Sequence, residues 1–252
     1  TEVVIEDIVI TYDSVFLPLD NDWYVFPISA DTTFGYTCAP LVEDCGIVNY
    51  QGYDYATVLI GEQCWFAENL RSENYKNGDA IPAGLSDNEW GNTSSGAVAV
   101  YGEGGSSCVS YSPDGDACDE DWSLNEYGRL YNGHAVDDAR GLCPNGWHVP
   151  TDAEWTVLTD HLGGAAVAGG KMKTTYGWID GNNGTNSSGF SGLPGGYRYS
   201  LFFQDGGHQG LWWGSSPIGS EAWYCWLYGD EFGESSFNRQ IGFSVRCVQD
   251  SE

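Results

Sequence analysis

The sequence predicts an α+β fold: a disulfide-braced domain of short strands, few short helices and many loops, with an extra β segment at its N-terminus. Three observations support this. Eight cysteines, Cys38, Cys45, Cys64, Cys108, Cys118, Cys143, Cys225 and Cys247, form no C-x-x-C pair, a usage that favours disulfides over zinc and therefore an oxidising compartment. Thirty-five glycines break the chain into short apolar and aromatic runs of strand character. The clearest helix-start signal stands at Thr151.

Taken in order, the opening "TEVVIEDIVITYDSVFLPL" is rich in Val and Ile and reads as strand. Val3 and Ile5 fall on one face of an extended chain and Ile8, Ile10 and Tyr12 on the other, so either a bulge sits at Glu6-Asp7 or both faces are covered. The apolar set Val3, Val4, Ile5, Ile8, Val9, Ile10 and Tyr12 is expected either to start its own domain or to dock into a neighbouring subunit. "WYVFPI" is a further strand, and Cys38 and Cys45 are close enough in sequence to clip one loop. The character of the chain changes near residue 50, which divides it into an N-terminal β segment, 1–48, and a main domain, 49–252. There "YDYATVLIGEQCWFAENL" predicts a hairpin, Ala56 to Ile60 and Gln63 to Ala67 around a Gly61-Glu62 loop. Residues 72–126 read as mostly loop, clipped in part by Cys108 and Cys118. Thr151 and Glu154 then form a T-x-x-E capping box, Trp155, Leu158 and Leu162 share one helical face, and Gly163-Gly164 end the helix. A second short helix is expected over 165–174, and short strands at "YRYSLFF", "AWYCWLY" and "GFSVRCVQ".

Nine Lys plus Arg stand against 36 Asp plus Glu, a formal charge of −27, and such a field repels phosphates and anionic lipid surfaces alike. This argues against nucleic acid partners, and with no apolar run of membrane-spanning length it argues against membrane insertion. Together with the cysteines it predicts a mature secreted product, extracellular or on the bacterial cell surface, whose signal peptide has been removed. Sequons begin at Asn92, Asn183 and Asn186, while Asp13-Ser14-Val15 and Asp31-Thr32-Thr33 resemble the short O-glycosylation motif of Bacteroidetes-type bacteria. Each is a candidate glycosylation site, with an unmodified surface loop as the alternative.

The stretches "TVLIGEQCWFAENL", "EYGRLYNGHAVDDARGLCPNGWHVPTDAEW", "AGGKMK", "GFSGLPGGYR", "WWGSS" and "GFSVRCVQD", in that order, resemble the Fibrobacter succinogenes major paralogous domain from about Tyr50 to Asp250. The resemblance implies a secreted or surface-attached bacterial protein, in a family with no established biochemical activity. More distantly, the same landmarks are similar to the formylglycine-generating enzyme and C-type lectin-like folds. "HVPTDAEW" resembles that enzyme's helix-opening signature and "GFSVRC" its closing strand. The likeness implies an architecture of that kind and a disulfide between Cys143 and Cys247 that closes the domain on itself. With Cys38–Cys45 and Cys108–Cys118 assigned, Cys64 is left to Cys225.

The enzyme likeness does not extend to reacting groups. The oxidase of that superfamily binds copper through two cysteines placed after an R-G-G-S-W-like stretch, and "LPGGYRYSLFFQ" contains none. His134, His148, His161 and His208 are scattered without H-x-x-x-H or H-E-x-x-H spacing and read as packing or surface residues. Glu154 is occupied as a cap, and Asp137-Asp138 beside Arg140 forms a turn with a local ion pair. No catalytic residue is assigned, and a non-enzymatic role is expected. "SPDGDACDEDW" sets Asp114, Asp116, Asp119 and Asp121 around a glycine turn, hard oxygen donors that suit calcium, the one cofactor suggested; a solvated acidic loop is the alternative. Trp212, Trp213, Trp223, Tyr224, Trp226 and Tyr228 can stack on sugars or fill the core. The expected function is a structural or adhesive surface subunit that self-associates head to tail through Val3 to Tyr12 into an extracellular filament. The alternative is a module that binds cell-surface glycans, with an oxidase third.

Overall fold

The computed structural model describes residues 2–5, 8–17, 22–27 and 45–251, those before 45 through their backbone. The chain divides into two compact units, Thr1–Glu43 and Asp44–Glu252. The first is an antiparallel sheet of β1 (Glu2–Ile5), β2 (Ile8–Leu17) and β3 (Asp22–Pro27) with β2 at its centre. Ile5 lies opposite Ile8 and Val3 opposite Ile10. The parity change between these residues is therefore a chain reversal, and the expected single strand from Val3 to Tyr12, with or without a bulge, is corrected to a hairpin.

The second unit runs β4 (Ile47–Tyr50), β5 (Tyr53–Ile60), β6 (Gln63–Phe66), α1 (Asp87–Asn92), β7 (Val98–Ala99), β8 (Ser107–Ser110), α2 (Glu120–Tyr127), β9 (Leu130–Asn132) and α3 (Gly133–Val136). It continues with β10 (Trp147–His148), α4 (Asp152–His161), α5 (Ala165–Met172), β11 (Gly195–Tyr199), β12 (Phe202–Gly206), β13 (Gly210–Ile218), β14 (Glu221–Tyr228), β15 (Glu231–Asn238), β16 (Gly242–Phe243) and β17 (Val248–Gln249). Three sheets result, ordered β10-β17-β6-β5-β4, β7-β9-β16-β11-β12-β8 and β13-β14-β15. This is an α+β, disulfide-braced fold. Among the described residues no helix is long and apolar enough to cross a membrane.

Local signals explain the β5–β6 hairpin and the longest described helix. Ile60 faces Gln63 across Gly61-Glu62, and Gly61 takes the φ of +65° that the two-residue turn requires. Thr151 and Glu154 cap α4 reciprocally. At its other end the Gly163 N–H donates to Asp160 and the Gly164 N–H to Thr159, the paired bonds of a Schellman stop. Other expectations need correction. "YRYSLFF" is a hairpin, since Tyr199 pairs with Phe202. The region read as mostly loop is so, with α1 and α2 set within it, started by Ser86 accepting from the Glu89 N–H and Asp119 from the Trp122 N–H.

Strand alternation divides the interior. On β6, β13 and β14, Trp65, Trp212, Cys225 and Leu227 turn toward Trp155 and Leu158 of α4 and Ala168 and Met172 of α5. Their neighbours Phe66 and Trp213 turn the other way, into a second core with Trp147, Phe243 and Cys247. Adjacent bulky residues in a strand buried on both faces produce this pattern. Arg246 lies between the layers, fully buried, donating to Asn69 Oδ1 at 2.7 Å and to the carbonyls of Phe66, Phe190 and Ser191. The indole N–H of Trp212 reaches the same Asn69 oxygen at 2.8 Å. Thus the "ENL", "WW" and "VRC" stretches meet at one satisfied polar junction, and burial pulls the Arg246 pKa down to about 9.

Cys108–Cys118 and Cys143–Cys247 form. Cys64, however, bonds Cys45, which corrects both the Cys38–Cys45 and the Cys64–Cys225 assignments. β5 pairs with both β4 and β6, and the approach to β4 brings Cys45 to 5.7 Å, Cα to Cα, from Cys64 on β6. Cys225 is a free, buried thiol whose pKa burial pushes well up, and Cys38 lies outside the described residues.

Candidate ligand-binding cleft

The site with an open aromatic lining is built on the β13-β14-β15 sheet. Because β14 alternates, its Cys225 and Leu227 face the helices while Tyr224, Trp226 and Tyr228 face the opposite side. The β11–β12 hairpin forms the facing wall with Tyr197, Tyr199 and Phe202. Together with Asp205, Gln209 and Phe237 these residues line a cleft of about 420 Å³. A second hollow of about 250 Å³, lined by Trp226 and Tyr228, shares Gln209, Leu211 and Tyr224 with the first. Rings are in van der Waals contact along the wall: Tyr199 lies 5.8 Å from Phe202 and 5.9 Å from Phe237, centroid to centroid. Tyr224 is held by Phe243 at 4.7 Å.

Gly233 has a specific role beneath Trp226. It pairs with Trp226 across β14 and β15, and a β-carbon there would come within 2.0 Å of the indole. The absent side chain lets the ring lie down over the neighbouring strand. The polar groups are few. Burial first, and then the nearby Asp205 carboxylate, hold the Tyr197 phenol protonated by raising its pKa. Asp205 adopts a φ of +65°, and its carbonyl accepts from the His208 and Gln209 N–H groups, which fixes the turn at the cleft edge. His208 stands between Tyr111 and Tyr228, 3.7 Å from Asp205 Oδ1. Flat apolar faces beside a carboxylate and an amide suit a ligand with apolar ring faces and hydroxyl edges.

The other sequence-predicted residues are placed elsewhere. Trp212 and Trp213 are core, fully buried, whereas Tyr228 is 50% exposed. Asp119 is spent as the α2 cap, and Asp116 Oδ1 accepts from the Cys118 N–H at 2.9 Å. Asp114 and Asp121 are exposed, and among the described residues no three His, Cys, Asp or Glu side chains converge to hold a metal ion. Asn92 bonds back to Asn88, Asn183 accepts from the Trp178 N–H, and the Asn186 amide bonds Ser191 in both directions. Ser14 lies on β2, and Thr32 lies outside the described residues. Arg140 pairs with Asp138 at 2.7 Å, and that hydrogen bond holds the Asp138 pKa at about 2.

One cluster escaped the sequence reading. His148 Nε2 is 2.8 Å from Glu154 Oε1 and its Nδ1 is 2.6 Å from Asp250 Oδ1, while Glu154 Oε2 still accepts from the Thr151 N–H at 2.8 Å. Burial opposes protonation of His148, but the two carboxylates outweigh it and its pKa is raised. The available signal was a histidine on the strand just before a capping box. His134 is half-buried at α3, with its pKa lowered by burial, and the His161 ring packs against Gly61.

Residues 58–249 match the family described as the Fibrobacter succinogenes major domain. No curated protein and no solved structure matches the chain.

Proposed function

Since the chain belongs to the Fibrobacter succinogenes major domain family, whose name carries no activity, we propose a secreted, non-enzymatic module of the bacterial surface that adheres by holding a glycan in this cleft. The observation that carries the reading is the row Tyr224, Trp226 and Tyr228 on the partly covered face of β14, with Asp205 and Gln209 beside it. Sugars offer flat C–H faces to such rings and hydroxyls to such polar groups. Secretion is supported by the three disulfides, which persist outside the reducing cytoplasm. Binding rather than catalysis is supported by the engagement of His148 and Glu154 with each other and by the sealed Cys225 thiol. The architecture is read as C-type-lectin-like and formylglycine-generating-enzyme-like, on the strength of the Cys143–Cys247 closure and the capped α4. Glycan arrays and affinity electrophoresis through insoluble polysaccharides test the function. Retention on at least one glycan, weakened by Trp226→Ala, is expected; no retention anywhere overturns it.

A second reading is assembly into a filament, favoured by the separate three-stranded unit whose edge strands are β1 and β3. Strand edges recruit further strands. Deleting residues 1–43 is expected to leave a soluble folded monomer by electron microscopy and light scattering, and polymers that persist after deletion contradict assembly through this unit.

A further inference from the structure

We propose that the cleft takes a linear, uncharged glycan as a run of several sugar units lying along β14, and that it does not act as a pocket for one terminal sugar. This rests on the glycan reading above and specifies its ligand. The side chains of Tyr224, Trp226 and Tyr228 recur at every second position, about 7 Å apart on an extended strand. Phe237 prolongs the row, because it sits on β15 directly opposite Ala222, which shares the face of Tyr224. From Ala222 to Tyr228 is six residues, so the aromatic row measures roughly 20 Å at strand rise. A pyranose is about the size of one phenol ring and covers only a fraction of that length. The two hollows also adjoin, since Gln209, Leu211 and Tyr224 line both. Gln209 therefore stands where the hollows adjoin, with Asp205 in the larger one, and the rings extend to either side.

Both ends of the row are open, with Phe237 37% and Tyr228 50% exposed, so a chain can enter and leave without needing a terminus. Charge selects further. Among the described residues no lysine or arginine lines either hollow and Asp205 is the carboxylate of the lining, while the whole chain carries −27. Uronate and sulfated chains are repelled by that field, whereas neutral hexose and pentose polymers lose nothing to it. The flat seat of Trp226 over Gly233 completes the platform at its centre.

Isothermal titration calorimetry of the full chain against neutral oligosaccharide ladders, cello-, xylo-, manno- and laminari-series from monomer to hexamer, with alginate oligomers alongside, tests this. Affinity is expected to climb with each added unit until the row is filled and then level off, with alginate binding weaker than every neutral hexamer that binds. Trp226→Ala and, because Tyr228 lies at an exposed end and its loss leaves the core intact, Tyr228→Ala are each expected to weaken hexamer binding by about tenfold. Gly233→Val should do the same while retaining every ring. A monomer that binds as tightly as the hexamer, preference for alginate, or hexamer binding indifferent to both ring deletions overturns this inference while leaving adhesion to a glycan standing. Absence of binding to every ladder and every glycan of the array removes the underlying reading with it.

Discussion

The two faces of β14 carry similar chemistry and come to opposite ends. Cys225 and Leu227 are 1% and 0% exposed, sealed beneath α4 and α5. One residue out of phase, Tyr224 and Trp226 are half-buried and Tyr228 is half exposed, because the β11–β12 hairpin covers that side only in part. Aromatic content therefore does not distinguish a core from a platform; the layer laid over each face does.

The largest effect should come from removing what holds both faces in place at once. Cys143 and Cys247 join the approach to α4 to the approach to β17 across 104 residues of chain, a loop whose closure contributes about 4 to 5 kcal/mol in the chain-entropy account. Cys143→Ser with Cys247→Ser is expected to lower the urea-unfolding free energy by that amount. Glycan affinity should survive in the fraction that remains folded. An intermediate effect separates the faces. Leu227→Ala should cost about 3 kcal/mol, as for other sealed leucines, while Tyr228→Ala changes stability by no more than about 0.5 kcal/mol yet lowers glycan retention. Equal stability costs from the two substitutions would erase the distinction between core face and open face.

Those same elements show what the amino-acid sequence makes legible. The α4 helix was readable because each of its signals is local: Thr151 and Glu154 are three residues apart, and the Gly163-Gly164 stop follows directly. The hairpin around Gly61-Glu62 was readable for the same reason. Tyr224, Trp226 and Tyr228 could be named as candidates, but Tyr197, Tyr199, Phe202 and Phe237 could not be joined to them, since they arrive from other strands by long-range pairing. Cys45–Cys64 failed for that reason too, as its partners meet only once β4, β5 and β6 are folded together and not through proximity in sequence. Asp119 shows a different failure. A carboxylate before a short apolar run serves a cation or a helix N-terminus equally well on paper, and only the turn of α2 selects the second.

The smallest effect lies at the seam between α4 and the chain end, away from β14, and it should move neither face. His148 is about one third exposed, so its pairs with Glu154 and Asp250 are screened and should contribute under about 1 kcal/mol. The sign is definite. His148 has its folded pKa raised above the ordinary 6.5, so its contribution is complete below 6.5 and disappears as pH rises through the folded value. Burial pushes Glu154 up, but hydrogen bonds from Thr151 and His148 hold it below its ordinary 4.5. Its contribution is therefore complete above 4.5 and is lost as pH falls through the lowered value. The seam is consequently tightest between these two ordinary values and loosens on either side. Urea melts of the wild type across that range and beyond, compared with His148→Gln, should show the alkaline fall only in the wild type, with glycan affinity parallel in both proteins. If the variant shows the same alkaline fall, another group carries it; if glycan affinity moves with it, the seam and the cleft are coupled.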